Sequence, residues 1–307
     1  MKKEDLTIFI KSEAVRLGFD FCGIAKAETV SEETIQRYND WIDQGSHATM
    51  GYLERNCEKR FNPNVLVDGC QSIICVALNY TPEQHIEGIA DYAQGKDYHK
   101  IVKDRLYLLL QSINNILNVR GRAFCDSAPV MERYWAVTAG LGYIGRNRQL
   151  IIPGKGSKFF LGELFVDIEL CYDTPYTSNL CGNCRKCIDN CPGMALSDEG
   201  LDANKCLSYL TIEHRGELPE NIGKKMGNCF YGCDRCQVVC PHNRFATPND
   251  TPELQPSEEL QKMTADKWNT LTKEVYDSLF AGSAVERCGY EQLMRNITAL
   301  NEGKSKN

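Results

Sequence analysis

Apolar and polar positions along the first 172 residues alternate between helical and strand periods. Leu6, Ile10, Ala14 and Leu17 recur at helical spacing over residues 4–18, with Gly18 as a stop. Phe21 to Ala25 reads as a short strand, and a second helix is expected over residues 31–44, ending at Gly45. Ser72 to Tyr80 (SIICVALNY) is nearly continuous apolar sequence, the pattern of a strand covered on both faces. Residues 98–118 carry the strongest helical stripe, with Val102, Leu106, Leu109, Leu110, Ile113 and Leu117 on one side. Strands follow around Arg122–Asp126, Gln149–Ile152 and Lys158–Leu170, and a helix near Met131–Ala139 separates the first two.

Beyond residue 172 the pattern breaks. Tyr172 to Asn179 is a polar, proline-containing linker that opens a cysteine-rich region. After Pro241 comes a connection rich in Pro, Asn, Asp and Thr, then two expected short helices to about residue 300. Gly303 to Asn307 reads as a disordered end. The chain thus reads as α+β in three parts: an α/β domain over residues 1–172, a cysteine-rich domain over 173–245 and a short helical segment over 246–307. No repeat is visible beyond the cysteine motifs themselves.

Composition changes this picture in one respect. An apolar fraction of 42% and a charged fraction of 25% are ordinary for a globular chain of 307 residues. The net charge of −6 excludes a strongly basic nucleic-acid binder but not a local basic patch. The anomaly is sixteen cysteines. The N-terminus, Met1-Lys2-Lys3-Glu4-Asp5, lacks an export signal, no twin-arginine pair precedes the first helix, and no run reaches eighteen apolar residues. A reducing cytoplasm, a monomer free of the membrane, and metal binding by clustered thiols are therefore expected.

The thiol spacing names the metal. Cys181-x2-Cys184-x2-Cys187-x3-Cys191-Pro192 is the bacterial ferredoxin run, and Cys233-x2-Cys236-x3-Cys240-Pro241 repeats its last part. In such runs the cysteine beside the proline ligates the other cluster. One [4Fe–4S] cluster then takes Cys181, Cys184, Cys187 and Cys240, and the second takes Cys191, Cys233, Cys236 and one more. Spacing leaves Cys206 and Cys229 both open for that place. Structural zinc also uses CxxC pairs, but two CxxxCP endings favour clusters. Cys22, Cys57, Cys70, Cys75, Cys125, Cys171 and Cys288 are scattered and read as small buried hydrophobes.

A relay needs something to reduce. The segments DSAPVMERYWAVTAGLGYIGRN from Asp126, GSKFFLGEL, CGNCRKCIDNCP, CLSYLTIEHRG and YGCDRCQVVCP resemble epoxyqueuosine reductase, as do GFDFCGIA, VLVDGCQSIICVALNY and GKDYHK upstream and LMRNITAL near the C-terminus. The likeness covers almost the whole chain. It implies an N-terminal cobalamin-binding domain, a ferredoxin-like domain, and reduction of the epoxide of epoxyqueuosine at the wobble position of tRNA, with electrons passing through the clusters to cobalamin. It also implies Cys206 as the eighth ligand, Asp126 as proton donor, and Arg60, Arg133, Asn147, Ser157 and Leu161 around the corrin with Asp126. Such an acid would be kept protonated in an apolar pocket. Asp97-Tyr98-His99 begins the D-x-H-x-x-G pattern of a lower cobalt ligand, but Val102 replaces the glycine. A cofactor without a histidine ligand is expected, with His99 at a helix start.

Arg146, Arg148, Lys155 and Lys158 could rim the pocket and contact the phosphates of an anticodon stem-loop. Relative to the longer members of that family, the chain lacks a C-terminal helical-repeat extension, and a low-potential electron donor is required. The alternatives are a corrinoid-dependent reductive dehalogenase and a non-catalytic ferredoxin-type carrier.

Overall fold

The computed structural model describes residues 2–305. Its body is a four-stranded sheet in the order β1-β2-β6-β3, formed by Phe21–Lys26 (β1), Ser72–Asn79 (β2), Gly121–Phe124 (β3) and Phe159–Val166 (β6). Tyr143–Ile144 (β4) and Leu150–Ile151 (β5) make a small separate hairpin. Every pairing in the main sheet is antiparallel. The alternation of helix and strand in sequence carries no parallel crossover here.

Helices Lys3–Arg16 (α1) and Tyr98–Asn114 (α5) cover one face. Their stripe of Leu6, Ile10, Ala14, Val102, Leu106, Leu109 and Ile113 packs on Ile74, Val76 and Leu78 of β2. Ile73 and Cys75, one residue out of phase, face the opposite core with Trp135 and Phe165. All eight residues of β2 are buried, which is why its sequence shows no alternation. The second face is closed by Glu132–Thr138 (α6), with Glu32–Asp43 (α2), Cys57–Phe61 (α3) and Pro63–Leu66 (α4) at its margin. Gly162 lets α5 lie close on β6: a Cβ there would stand 2.5 Å from Val102 Cγ1.

The cysteine-rich region is built of four short helices, Lys186–Asp189 (α7), Leu207–Ile212 (α8), Gly223–Met226 (α9) and Arg235–Val238 (α10), with loops between. After residue 245 the described residues form four α-helices: Glu258–Gln261 (α11), Ala265–Asn269 (α12), Lys273–Leu279 (α13) and Tyr290–Ser305 (α14). Two short helices were expected there. Ser257, Thr264 and Thr272 each cap one of the first three by accepting a backbone N–H. The expected disordered end is also corrected over Gly303 to Ser305, which continue α14, with Gly303 buried; residues 306 and 307 lie outside the described residues. One apolar core joins Ile86, Ile89 and Ala93, then Leu207 to Phe230, then Leu260 to Leu300. No helix of the described residues is long and apolar enough to cross a membrane.

Candidate active site and iron–sulfur centre

β3 ends at Phe124, and the chain turns at once: Asp126 adopts φ +55°, a left-handed conformation that Asp tolerates better than most residues. The turn brings its carboxylate over the start of α5. Tyr98 donates its hydroxyl to Asp126 Oδ2 at 2.5 Å, and His99 Nε2 stands 3.3 Å from the same oxygen. His99 in turn is held at Nδ1 by Asp97 Oδ1 at 2.6 Å, while Asp97 also caps α5 by accepting the His99 backbone N–H. The imidazole is thus strung between two carboxylates and stacked on Tyr98, whose other face stacks on Phe160.

This setting determines where the proton sits. Burial pushes the Asp126 carboxyl up, but the His99 and Tyr98 hydrogen bonds outweigh it and hold it below the usual carboxylate range. Burial pulls His99 down, yet its bonds to Asp126 and Asp97 leave it raised. Both shifts favour charge on the two members of the pair. Against the expectation of a neutral acid in an apolar pocket, the Asp126 side chain is 58% exposed and has a basic neighbour. Sequence reading placed His99 correctly at a helix start but missed its bond to Asp126; the Asp97-Tyr98-His99 triplet itself was the available signal.

Two further carboxyl groups lie behind Asp126. Glu132, the first residue of α6, accepts the Asp126 backbone N–H at Oε1. Burial, then the nearby Asp126 charge, push its carboxyl up to about 8. Glu163 of β6 is fully buried, and neither of its carboxyl oxygens meets a hydrogen-bond partner among the described residues. Burial raises it well above the carboxylate range, reinforced by Glu132 and Asp126.

The cluster cysteines gather in the short helices and loops after residue 180. Cys181, Cys184, Cys187 and Cys240 line one cavity of about 240 Å³, together with Asn147, Ile151 and His242. Cys206 lies within electrostatic reach of Cys191, and Cys233 and Cys236 within reach of Cys206. Backbone amides point at several of these sulfurs: Ala195 N–H meets Cys191 Sγ at 3.2 Å, and the Tyr209 and Ser208 amides favour the thiolate of Cys206. Cys229 instead donates its thiol to the carbonyls of Tyr231 and Gly232 at 3.3 and 3.4 Å. No three His, Cys, Asp or Glu side chains of the described residues close around one ion. A cubane needs thiols spread around a larger body, and the donor set, the cavity and the amide-to-sulfur bonds fit one.

The residues assigned to the corrin are not all together. Arg133 donates Nη1 to the carbonyl of Arg148 at 2.9 Å, beside Asn147, and its charge acts on Asp126. Asn147 reaches from there to the cluster cavity and has a buried Nδ2 without a partner. Leu161 faces the α6 side of the sheet. Arg60 sits apart on α3, its Nε buried without a partner and its guanidinium 5.3 Å from the Tyr38 ring centroid. Ser157 is committed elsewhere: its hydroxyl donates to Gln237 Oε1 and accepts from Asn243 Nδ2, both at 3.0 Å. The orphan donors of Asn147 and Arg60 suit the peripheral amides of a corrin, so the pocket fits one in part.

Of the proposed basic rim, two side chains are engaged elsewhere. Lys158 is paired with Asp91 and mostly buried. Arg146 is spent on the carbonyls of Gly182 and Cys184 and on Asp198. Lys155 is exposed, and Arg148 is crowded by Arg37 and Arg133.

An antiparallel sheet covered by helices and joined to a module of cysteines at ferredoxin spacing defines the class, an iron–sulfur protein. Residues 180–243 match the model of a 4Fe-4S double cluster binding domain, and residues 60–127 match that of epoxyqueuosine reductase QueG, DUF1730. The chain is 45% identical over 298 residues to an epoxyqueuosine reductase of Leadbetterella byssophila, covering 95% of this chain and 97% of that one. A crystal structure of epoxyqueuosine reductase with an epoxyqueuosine-modified tRNA-Tyr stem loop superposes with a TM-score of 0.88 at 28% identity, covering 96% of this chain and 80% of that one. The chain belongs to the epoxyqueuosine reductase family, and it is an oxidoreductase carrying [4Fe–4S] clusters. A reductive dehalogenase is similar in fold alone, at a TM-score of 0.50 and 16% identity.

Proposed function

We propose that this chain reduces the epoxide of epoxyqueuosine on a tRNA anticodon stem-loop, with Asp126 delivering the proton to the departing oxygen. The observation that carries this is the link from Asp126, through the nearby charge of Arg133 and its bond to the Arg148 carbonyl, to Asn147, which lines the cavity formed by Cys181, Cys184, Cys187 and Cys240. Residues 1–172 serve as the catalytic domain, 173–245 as the relay and 246–307 as the brace behind it.

Cys181, Cys184, Cys187 and Cys240 would hold one cluster, and Cys191, Cys206, Cys233 and Cys236 the other. Arg60, Arg133, Asn147 and Leu161 would border cobalamin, with no histidine needed below the metal, since His99 is engaged at both nitrogens. Cobalamin supplies, when bound, a metal centre that takes electrons one at a time and cleaves the carbon–oxygen bond. The chain's own part is the proton: His99 passes it to Asp126 as the substrate covers the site, and Asp126 passes it to oxygen. Tyr98 orients the carboxylate throughout.

Recognition of tRNA falls to Arg37, Arg133 and Arg148. Burial lowers Arg148, and the charges of Arg37 and Arg133 lower it further. A phosphate would relieve that repulsion. Asp126→Asn is expected to keep both clusters and bound cobalamin and to lose about 10²–10⁴-fold in turnover on epoxyqueuosine-containing tRNA, read by nucleoside mass spectrometry. Full activity would remove Asp126 as donor.

A further inference from the structure

Reduction of an epoxide to an alkene consumes two electrons and two protons and releases water. The His99–Asp126 pair holds one proton between its members. Glu132 touches Asp126 through the backbone N–H, and Glu163 lies within electrostatic reach of both. Glu163 stands opposite Cys75 of β2 and Phe124 of β3, on the sheet face that α6 covers. From the surrounding elements, the titratable or charged groups facing the two glutamates are Cys75, Cys125, Asp126, His99 and Arg133. A buried carboxyl with no partner contributes nothing to packing that an apolar side chain would not supply better. Burial and mutual repulsion favour the neutral acid at both glutamates.

We propose that Glu132 and Glu163 form a proton store behind Asp126, Glu132 returning a proton to Asp126 once it has given its own away and Glu163 replenishing Glu132. The first proton forms an O–H bond as one carbon–oxygen bond of the epoxide breaks. The second completes water as the other breaks, and the two electrons from the clusters end in the new carbon–carbon double bond. Glu163, left as a buried carboxylate, regains a proton through the same chain after product leaves. Neither glutamate touches substrate; both position protons for Asp126, so the inference rests on Asp126 as donor.

Two measurements test it. In the cofactor-free protein at pH 7, infrared spectroscopy should find a carboxylic-acid carbonyl band that disappears in Glu163→Gln. No such band in the unmodified protein would overturn the store. In the reconstituted enzyme, Glu132→Gln and Glu163→Gln should each lower kcat by about 10²-fold at unchanged KM and cluster content. Because the two act in series, the double variant should lose no more than the worse single. Turnover of the unmodified enzyme should fall as pH rises past about 8, where Glu132 ionises, and Glu132→Gln should lack that limb. Glu163→Leu guards against a folding artefact: folded and slow supports the store, folded and fast overturns it. If Asp126→Asn is inactive while both glutamine variants keep the normal rate and pH profile, the store alone falls. If Asp126→Asn is fully active, the donor assignment falls first.

Discussion

Asp126 is a residue whose chemistry depends on a backbone angle. Its left-handed turn places the carboxylate against Tyr98 and His99, and an extended residue there would carry it elsewhere. The pairing has a definite pH signature. His99 titrates above its ordinary 6.5, so its contribution to stability is complete below 6.5 and is lost as pH rises through the raised value. Asp126 titrates below 3.8, so its contribution is present above 3.8 and is lost as pH falls through the lowered value. NMR of the His99 ring nitrogens should therefore show a midpoint above 6.5, and Asp126→Asn should lower it, because the Asp97 carboxylate alone then opposes burial. Legibility at this scale was uneven. Asp126 came from resemblance, and Cys206 likewise. Glu163 was visible in principle, since in FFLGELFV it shares a face with Leu161 and Phe165, a charged side chain in an apolar row. His99 was readable as a helix start but not as a partner of Asp126, because that contact joins residues 27 apart through a turn no local pattern encodes.

At the scale of elements, long stripes were the legible ones. β2, α1 and α5 stand where hydrophobic spacing put them, because each buries one strong face or two. α7 and α10 have four residues each, too short for any period, and their folding depends on the cysteines beside them. The C-terminal helices were undercounted because each of the first three spans under eight residues, although Ser257, Thr264 and Thr272 signalled their starts. α9 and α14 cross at glycine: a Cβ on Gly223 would stand 1.8 Å from the Ala299 carbonyl oxygen. Gly223→Ala must push the helices apart, at a cost of about 1–3 kcal/mol. A lowered thermal midpoint with unchanged cluster absorbance would be the expected result, and an unchanged midpoint would mean that the crossing is soft.

Across the whole molecule, the relay is not a bead on a string. The core shared by Ile86 and Ile89, the segment Leu207–Phe230 and α14 ties it to both ends of the chain. The loops around Cys181, Cys184 and Cys191 are by contrast mostly exposed or half-buried and have little apolar packing of their own. Removing iron with a chelator should raise amide exchange across residues 180–194 while β2 and β6 keep their protection; uniform exchange across the chain would contradict this. The net charge of −6 opposes tRNA at long range, so the proposed binding would have to come from the local arginines. Arg37→Ala should weaken binding of an anticodon stem-loop and lessen the slope of log affinity against log salt by about 1. An unchanged slope would place the phosphate contact elsewhere.

The tie between Ser157, Gln237 and Asn243 has a consequence for motion. Gln237 also donates to the Tyr80 hydroxyl at 3.0 Å, and Asn243 Oδ1 receives the Ser157 backbone N–H at 2.6 Å. The end of the sheet and the segment from Gln237 to Asn243 are thus riveted by polar groups that lose their partners together if they slip. A mount of this kind would hold the cluster loops at one fixed distance from the sheet, with little shape to readjust when an electron moves between them. The stiffness of three side chains would then bear on the tempo of the chemistry.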